Sequence, residues 1–219
     1  VEIDRDKMGY VTHSMLGKAL GSLAKICYAR GEYNDAVEAW NEALAIYRIR
    51  MGKDSLYVAG ALKELVKVLL KLDTERARRD APEMLHKALY KYVRKQDVLD
   101  LKEINEILVL LLEEELGFKT TEGALDLFVP LLYHVDKVLR GEIEGQISEH
   151  PNIDIRFVAE YYQHSGELLW HSKQDAQTAR KWVEKSVGIW GDAANMGGGA
   201  TISLVREWHA STIDACEMH

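Results

Sequence analysis

Glu160, His164, Glu167 and His171 are the chain's most concentrated set of ligand-type side chains, spaced four, three and four apart. On a helix that spacing lines all four along one face. Imidazoles and carboxylates so aligned can ligate a divalent metal; they also arise as ordinary Glu–His surface pairs. No His-Glu-x-x-His sequence accompanies them. The spacing alone is nonspecific, so no metal is assigned. Gly197-Gly198-Gly199 has the glycines of a phosphate loop but lacks the Lys-Ser/Thr that makes such a loop specific. Two cysteines, Cys27 and Cys216, cannot build a disulfide framework. Cys27 falls on an apolar helical face, where a thiol is buried and inert. No residue is therefore expected to be catalytic, and no cofactor is implied.

The elements that would position these residues are helices. Apolar residues recur three and four apart throughout, without the alternation of a sheet or an Asn-Gly or Asp-Gly hairpin signal. Leu16, Leu20, Leu23, Ala24 and Cys27 define one expected core face, and Val37, Trp40, Ala43, Leu44 and Tyr47 another. Punctuation at Arg30-Gly31, Met51-Gly52, Leu72-Asp73-Thr74, Gln96-Asp97, Leu116-Gly117 and Gly141 separates them. The pattern predicts helices near 10–30, 33–51, 55–72, 77–95, 98–116, 121–140, 153–173, 176–190 and 199–217. Pro130 is expected to kink the sixth, because it removes a backbone hydrogen bond. Residues 141–152, rich in polar residues with Gly and Pro, read as a linker or loop between a segment 1–140 and a segment 153–219.

With 219 residues, 47% of them hydrophobic and 29% charged, the chain can bury a sizeable core and is not disordered. Its longest apolar run, Ile107 to Leu112, is far short of the ~20 residues that span a bilayer. No secretory signal is evident, and Val1 in place of Met suggests processing or a fragment. These features predict an intracellular protein, cytoplasmic or cytoskeleton-associated. A net charge of −7 argues against a nucleic-acid footprint. The charge is uneven: residues 1–100 carry a net +3 and residues 101–219 a net −10.

Aligned helices reveal a repeat. Leu20, Leu23, Ala24 and Cys27 precede Gly31-Glu32-Tyr33 and then Ala36, Trp40, Ala43 and Leu44. Weaker returns pair Leu62, Leu65, Val66 and Leu69 with Ala81, Leu85, Ala88 and Leu89; Leu108 and Leu111 with Ala124, Phe128 and Leu131; and Tyr162, Gly166 and Leu169 with Ala179, Val183, Ser186 and Val187. Small residues belong where two antiparallel helices approach most closely. The pattern resembles the tetratricopeptide repeat, or TPR. Leu23, Leu65 and Leu108 are 42 and 43 residues apart, longer than the usual ~34. The stretch from Ala24 to Ala59 resembles the extended TPRs of kinesin light chains, through Gly31-Glu32-Tyr33, Ala36, Ala43-Leu44-Ala45-Ile46, Gly52-Lys53-Asp54 and Val58-Ala59. The resemblance implies an all-α solenoid of about four degenerate TPR-like hairpins with a C-terminal capping helix, and cargo-type peptide binding.

In such an array the first helix of each pair lines a concave surface that can receive a peptide or helix. Register places Lys18, Ser22, Lys25, Tyr28 and Ala29 there from the first helix, and Lys63, Lys67, Leu70 and Lys71 from the third. The lysines would favour an acidic protein or peptide partner. Glu103, Glu106, Glu113 and Glu114 would reverse the sign on the fifth helix. A second basic row, Lys87, Lys91, Arg94 and Lys95 with Arg76, Arg78 and Arg79 at its start, is a solvated outer face or an alternative acidic-partner surface. Trp170, Trp182, Trp190 and Trp208 are expected to pack the last repeat against its cap and could support homo-oligomerisation. The expected function is a non-enzymatic interaction scaffold or adaptor, in a cytoskeletal or transport setting. A regulatory or sensor subunit binding a small ligand, and an oligomeric assembly component, are the alternatives.

Overall fold

A computed structural model describes residues 5–94, 100–112, 124–139, 155–172 and 175–195. Its elements are α1 (Arg5–Arg30), α2 (Tyr33–Met51), α3 (Leu56–Leu72), α4 (Glu75–Arg94), α5 (Leu101–Leu112), α6 (Val129–Leu139), α7 (Ile155–Ser172) and α8 (Ala176–Asn195). A 3₁₀ turn at Ala124–Leu127 precedes α6, and no strand occurs among the described residues. The fold is all-α. The expected helix over 199–217 and the loop over 141–152 lie outside the described residues.

Local chemistry sets the helix ends. Gly31 and Gly52 adopt φ of 79° and 85°, conformations that cost an L side chain energy but not glycine. Asp73 takes the left-handed conformation at φ 49°, and its carboxylate pairs with Arg78 just beyond. Helix starts are capped by side-chain oxygens that accept orphan backbone N–H groups. Ser55 accepts from Val58, Thr74 from Ala77, Asp100 from Glu103 and Asp175 from Thr178.

Pro130 does not kink a helix. It occupies the second position of α6, in the first turn, where its missing N–H has no intrahelical acceptor to lose. The expected helix is instead divided into the 3₁₀ turn and α6. Pro82 lies in the interior of α4 and is buried there.

The chain forms two compact units, Val1–Leu99 with Glu113–Leu131, and Asp100–Leu112 with Leu132–His219. In the first, α1 packs on α2, α2 on α3 and α3 on α4, and the 3₁₀ turn lies against α4. Ala24, Ala36, Ala43, Ala81 and Ala88 are wholly buried there. Phe128 is also wholly buried and stands edge-on to His86 of α4.

In the second unit α7 packs on both α5 and α8. A Cβ on Gly166 would sit 2.7 Å from Val183 Cγ2 and 3.0 Å from the Ala179 carbonyl, so glycine sets the approach of α7 to α8. An aromatic cluster of Tyr133, Tyr161, Tyr162 and Trp182 fills the core. Its hydroxyls are satisfied internally. Tyr161 donates to the Leu132 carbonyl and Tyr162 to the buried Asp136, while Lys185 Nζ reaches Tyr162 Oη at 2.7 Å.

Candidate functional site

The packing of α1 fixes which of its residues are open. Gly17 meets Tyr47 and Gly21 meets Trp40, so positions 17, 21, 24 and 28 form the face against α2. Lys18, Ser22, Lys25 and Ala29 stand to one side of that face and are exposed. Adding the 42-residue repeat carries these four onto Gly60, Glu64, Lys67 and Lys71 of α3. The first three are half-buried and Lys71 is exposed. The two rows adjoin where Lys18 Nζ lies 5.7 Å from the ring centre of Tyr57.

This register corrects the sequence-based site. Lys63 retains only 2% of its surface and Leu70 is buried as well. They are the 42-residue equivalents of Gly21 and Tyr28, which belong to the inter-helix face, and neither contributes to an open groove. Tyr28 is half-buried, its ring 5.7 Å from that of Tyr33. The open row on α3 includes Glu64, whose Oε1 lies 3.1 Å from Lys67 Nζ and 3.7 Å from Lys63 Nζ. Ser22 donates to the Lys18 carbonyl within its own helix. The exposed ammonium groups of this face are Lys18, Lys25 and Lys71, which can hold carboxylates, while half-buried Lys67 pairs with Glu64. Each such exposed contact is worth about 0.2–1 kcal/mol and weakens with salt. Glu103 and Glu106, both half-buried, belong to the other unit; Glu113 and Glu114 lie outside the described residues.

The second basic row is largely neutralised. Lys91 bonds Asp54 at 2.9 Å, which holds that carboxyl below its usual range. Lys87 pairs with Glu83, and Arg94 stacks over Tyr90 at 4.9 Å. At the helix start Arg76 and Arg79 share Asp80, and Arg78 pairs with Asp73. Lys95 lies outside the described residues. These pairs make the row a salt-bridged outer surface.

In the Glu160–His164–Glu167–His171 stripe the first three residues are half-buried and His171 is exposed. Asn105 of α5 donates to the Phe157 carbonyl at 2.9 Å and to Glu160 Oε2 at 3.3 Å. Burial lowers His164 from 6.5 to about 4 and raises Glu167 from 4.5 to about 7. At neutral pH the imidazole is therefore uncharged and Glu167 only about half ionised. His164 Nδ1 and Asn105 Oδ1 are buried without a hydrogen-bond partner. Among the described residues no three His, Cys, Asp or Glu side chains are grouped to hold a metal ion. Cys27 is buried, and Trp182 packs in the core. Trp170 and Trp190 are half-buried, whereas Trp208, Cys216 and Gly197–Gly199 lie outside the described residues.

Two features escaped the sequence reading. Gly17 and Gly21, rather than the neighbouring leucines, mark the face of α1 that packs; their spacing of four, seven before Ala24 and Tyr28, was the available signal. The pairing of half-buried Glu64 with Lys67 and Lys63 was the other, its signal the three- and one-residue spacing of opposite charges on α3.

Packing and register together define the class: an all-α protein with a TPR-like helical-repeat fold. No protein-family model matches the chain, and no curated protein does either. Among solved structures it is similar to BtubC (BKLC) from P. vanneervenii, a bacterial kinesin light chain-like protein, with a TM-score of 0.56 and 20% identity. The match covers 85% of this chain and 66% of BtubC, so the chain spans just under two thirds of that neighbour's length. No helix among the described residues is long and apolar enough to cross a membrane.

Proposed function

We propose that this chain is a non-enzymatic protein-interaction module that receives a peptide or helix of a partner on the open face of α1 and α3. The observation that supports the reading is the recurrence of one polar row at a 42-residue offset, Lys18, Ser22, Lys25 and Ala29 exposed on α1 and then Gly60, Glu64 and Lys67, half-buried, with exposed Lys71 on α3. Packed on one side and open on the other, paired helices of this kind offer a surface on which an extended or helical segment can lie. The lysines favour acidic side chains in that segment. The kinesin light chain resemblance and the BtubC likeness favour a place in a cytoskeletal or transport assembly.

The test begins with affinity purification from native cells to identify the principal partner, followed by titration of that purified partner. Charge reversal at Lys67 and Lys71 together should weaken binding by about tenfold or more, the sum of a few exposed ionic contacts. The loss should shrink as salt rises through the physiological range. Unchanged affinity in the double variant would remove this face as the docking surface.

A further inference from the structure

Helix α1 has two apolar faces, and only one of them is covered. Opposite the glycine face lie Met15, Leu16, Ala19, Leu20, Leu23 and Ile26, which span an arc of about 140° at 100° per residue. Met15, Leu16, Leu23 and Ile26 keep 64%, 49%, 49% and 56% of their surface. Ala19 is exposed and Leu20 half-buried. Scattered exposed leucines are ordinary, but a contiguous apolar arc on one helix marks a contact surface.

The protein itself contains the covered version of this face. Carried forward by 42 residues, Leu16, Ala19, Leu20, Leu23 and Ile26 become Val58, Ala61, Leu62, Leu65 and Val68 of α3, and all five are buried. The elements that pack on α3 are α2 and α4. Thus the positions that are bare on α1 are buried on α3, which has a helix packed on it both before and after it in the chain.

Charge narrows what would cover the bare face. From Met15 to Arg30 the helix contains Lys18, Lys25 and Arg30 and no Asp or Glu. Lys18 and Lys25, both exposed, lie on one flank of the arc beyond Ser22 and Ala29, and Arg30 at its C-terminal end pairs with Glu32 at 2.9 Å. A basic partner would meet Lys18 and Lys25 on this flank, with no carboxylate between Met15 and Ala29 to offset them.

We propose that the bare face of α1 docks an amphipathic helix of a partner protein, with an apolar stripe that seats on Leu16, Leu20, Leu23 and Ile26 and acidic residues flanking the stripe. The proposal stands apart from the function argued above. Both readings use Lys18 and Lys25, but that one continues to Lys67 and Lys71 of α3, whereas this one seats its partner on the apolar arc of α1.

The probe is a synthetic 18-residue helical peptide with leucines at i, i+3, i+4 and i+7 spacing and flanking glutamates, with a second peptide carrying lysines in place of the glutamates. Fluorescence anisotropy with the full chain should show saturable binding of the acidic peptide and at least tenfold weaker binding of the basic one. Leu23→Glu should abolish binding. The milder Leu16→Ser should weaken it several-fold, and circular dichroism should show both variants helical. Lys67→Glu with Lys71→Glu should leave the affinity unchanged. Equal affinity for the two peptides, no saturable binding by either, or full binding by both Leu variants would each overturn the proposal. A dimer seen by light scattering and dissolved by Leu23→Glu would also overturn it, by assigning the face to a second copy of the chain.

Discussion

His164 and Glu167 sit three residues apart in one half-buried seam, and desolvation pushes their titrations in opposite directions. Glu167 holds its proton in the folded chain up to about pH 7 but releases it near 4.5 when unfolded. Its contribution is therefore complete below pH 4.5 and disappears as pH rises through 7. His164 excludes its proton down to about pH 4 when folded, yet takes one near 6.5 when unfolded. That contribution is complete above 6.5 and disappears as pH falls through 4. Between about pH 4.5 and 6.5 the two slopes oppose each other, so the pair adds little net pH dependence. Glu167→Gln should uncover the histidine slope, with the urea midpoint climbing from pH 4 to 6.5. His164→Gln should uncover the other, with the midpoint declining towards pH 7. Parallel curves for the wild type and both variants would show that neither group is desolvated as described.

At the scale of the helix pair, approach distance is set by the smallest residue. The repeat pattern named Gly166 as a partner of Ala179 and Val183, and that contact is present in the α7–α8 packing. Because the facing Ala179 oxygen is backbone, the clash cannot be relieved by a side-chain rotation. Gly166→Ala, which would raise helix propensity at a free surface, should here lower stability by about 1–3 kcal/mol through overpacking. Gly188→Ala is the control, since a Cβ there meets nothing within 4 Å, and it should raise the melting temperature slightly. Helix type and ends were legible in the sequence because Gly31, Gly52, Asp73 and the Ser, Thr and Asp caps act within a few residues of themselves. The orientation of α1 was not. A helix apolar on two sides has no unique buried face until its neighbour is known, so Leu16 and Leu23 read as core. Lys63 failed for the converse reason: a charge suggests solvent, but its register places it on a packed face. The polar stripe was visible as a spacing, whereas the burial that suppresses the charges of His164 and Glu167 is a tertiary property that spacing does not carry.

For the whole molecule the division into two compact units is the governing fact. Repeat proteins draw stability from each element and its immediate neighbours, so one part can open before another. Tryptophan placement makes this measurable. Trp40 is the one tryptophan of the first unit; Trp170, Trp182, Trp190 and Trp208 belong to the second. Trp40→Phe would confine tryptophan fluorescence to the second unit while circular dichroism continues to report helices from both. It would also weaken the first unit, because the indole that packs on Gly21 is trimmed. In urea, the fluorescence midpoint of this variant should match that of the wild-type second unit, and the dichroism curve should begin to fall at lower urea. Non-coincident transitions are the mark of more than two states. If instead both signals of Trp40→Phe shifted together to one lower midpoint, the units would be unfolding as a single cooperative body, with the loss at Trp40 felt by tryptophans that never touch it.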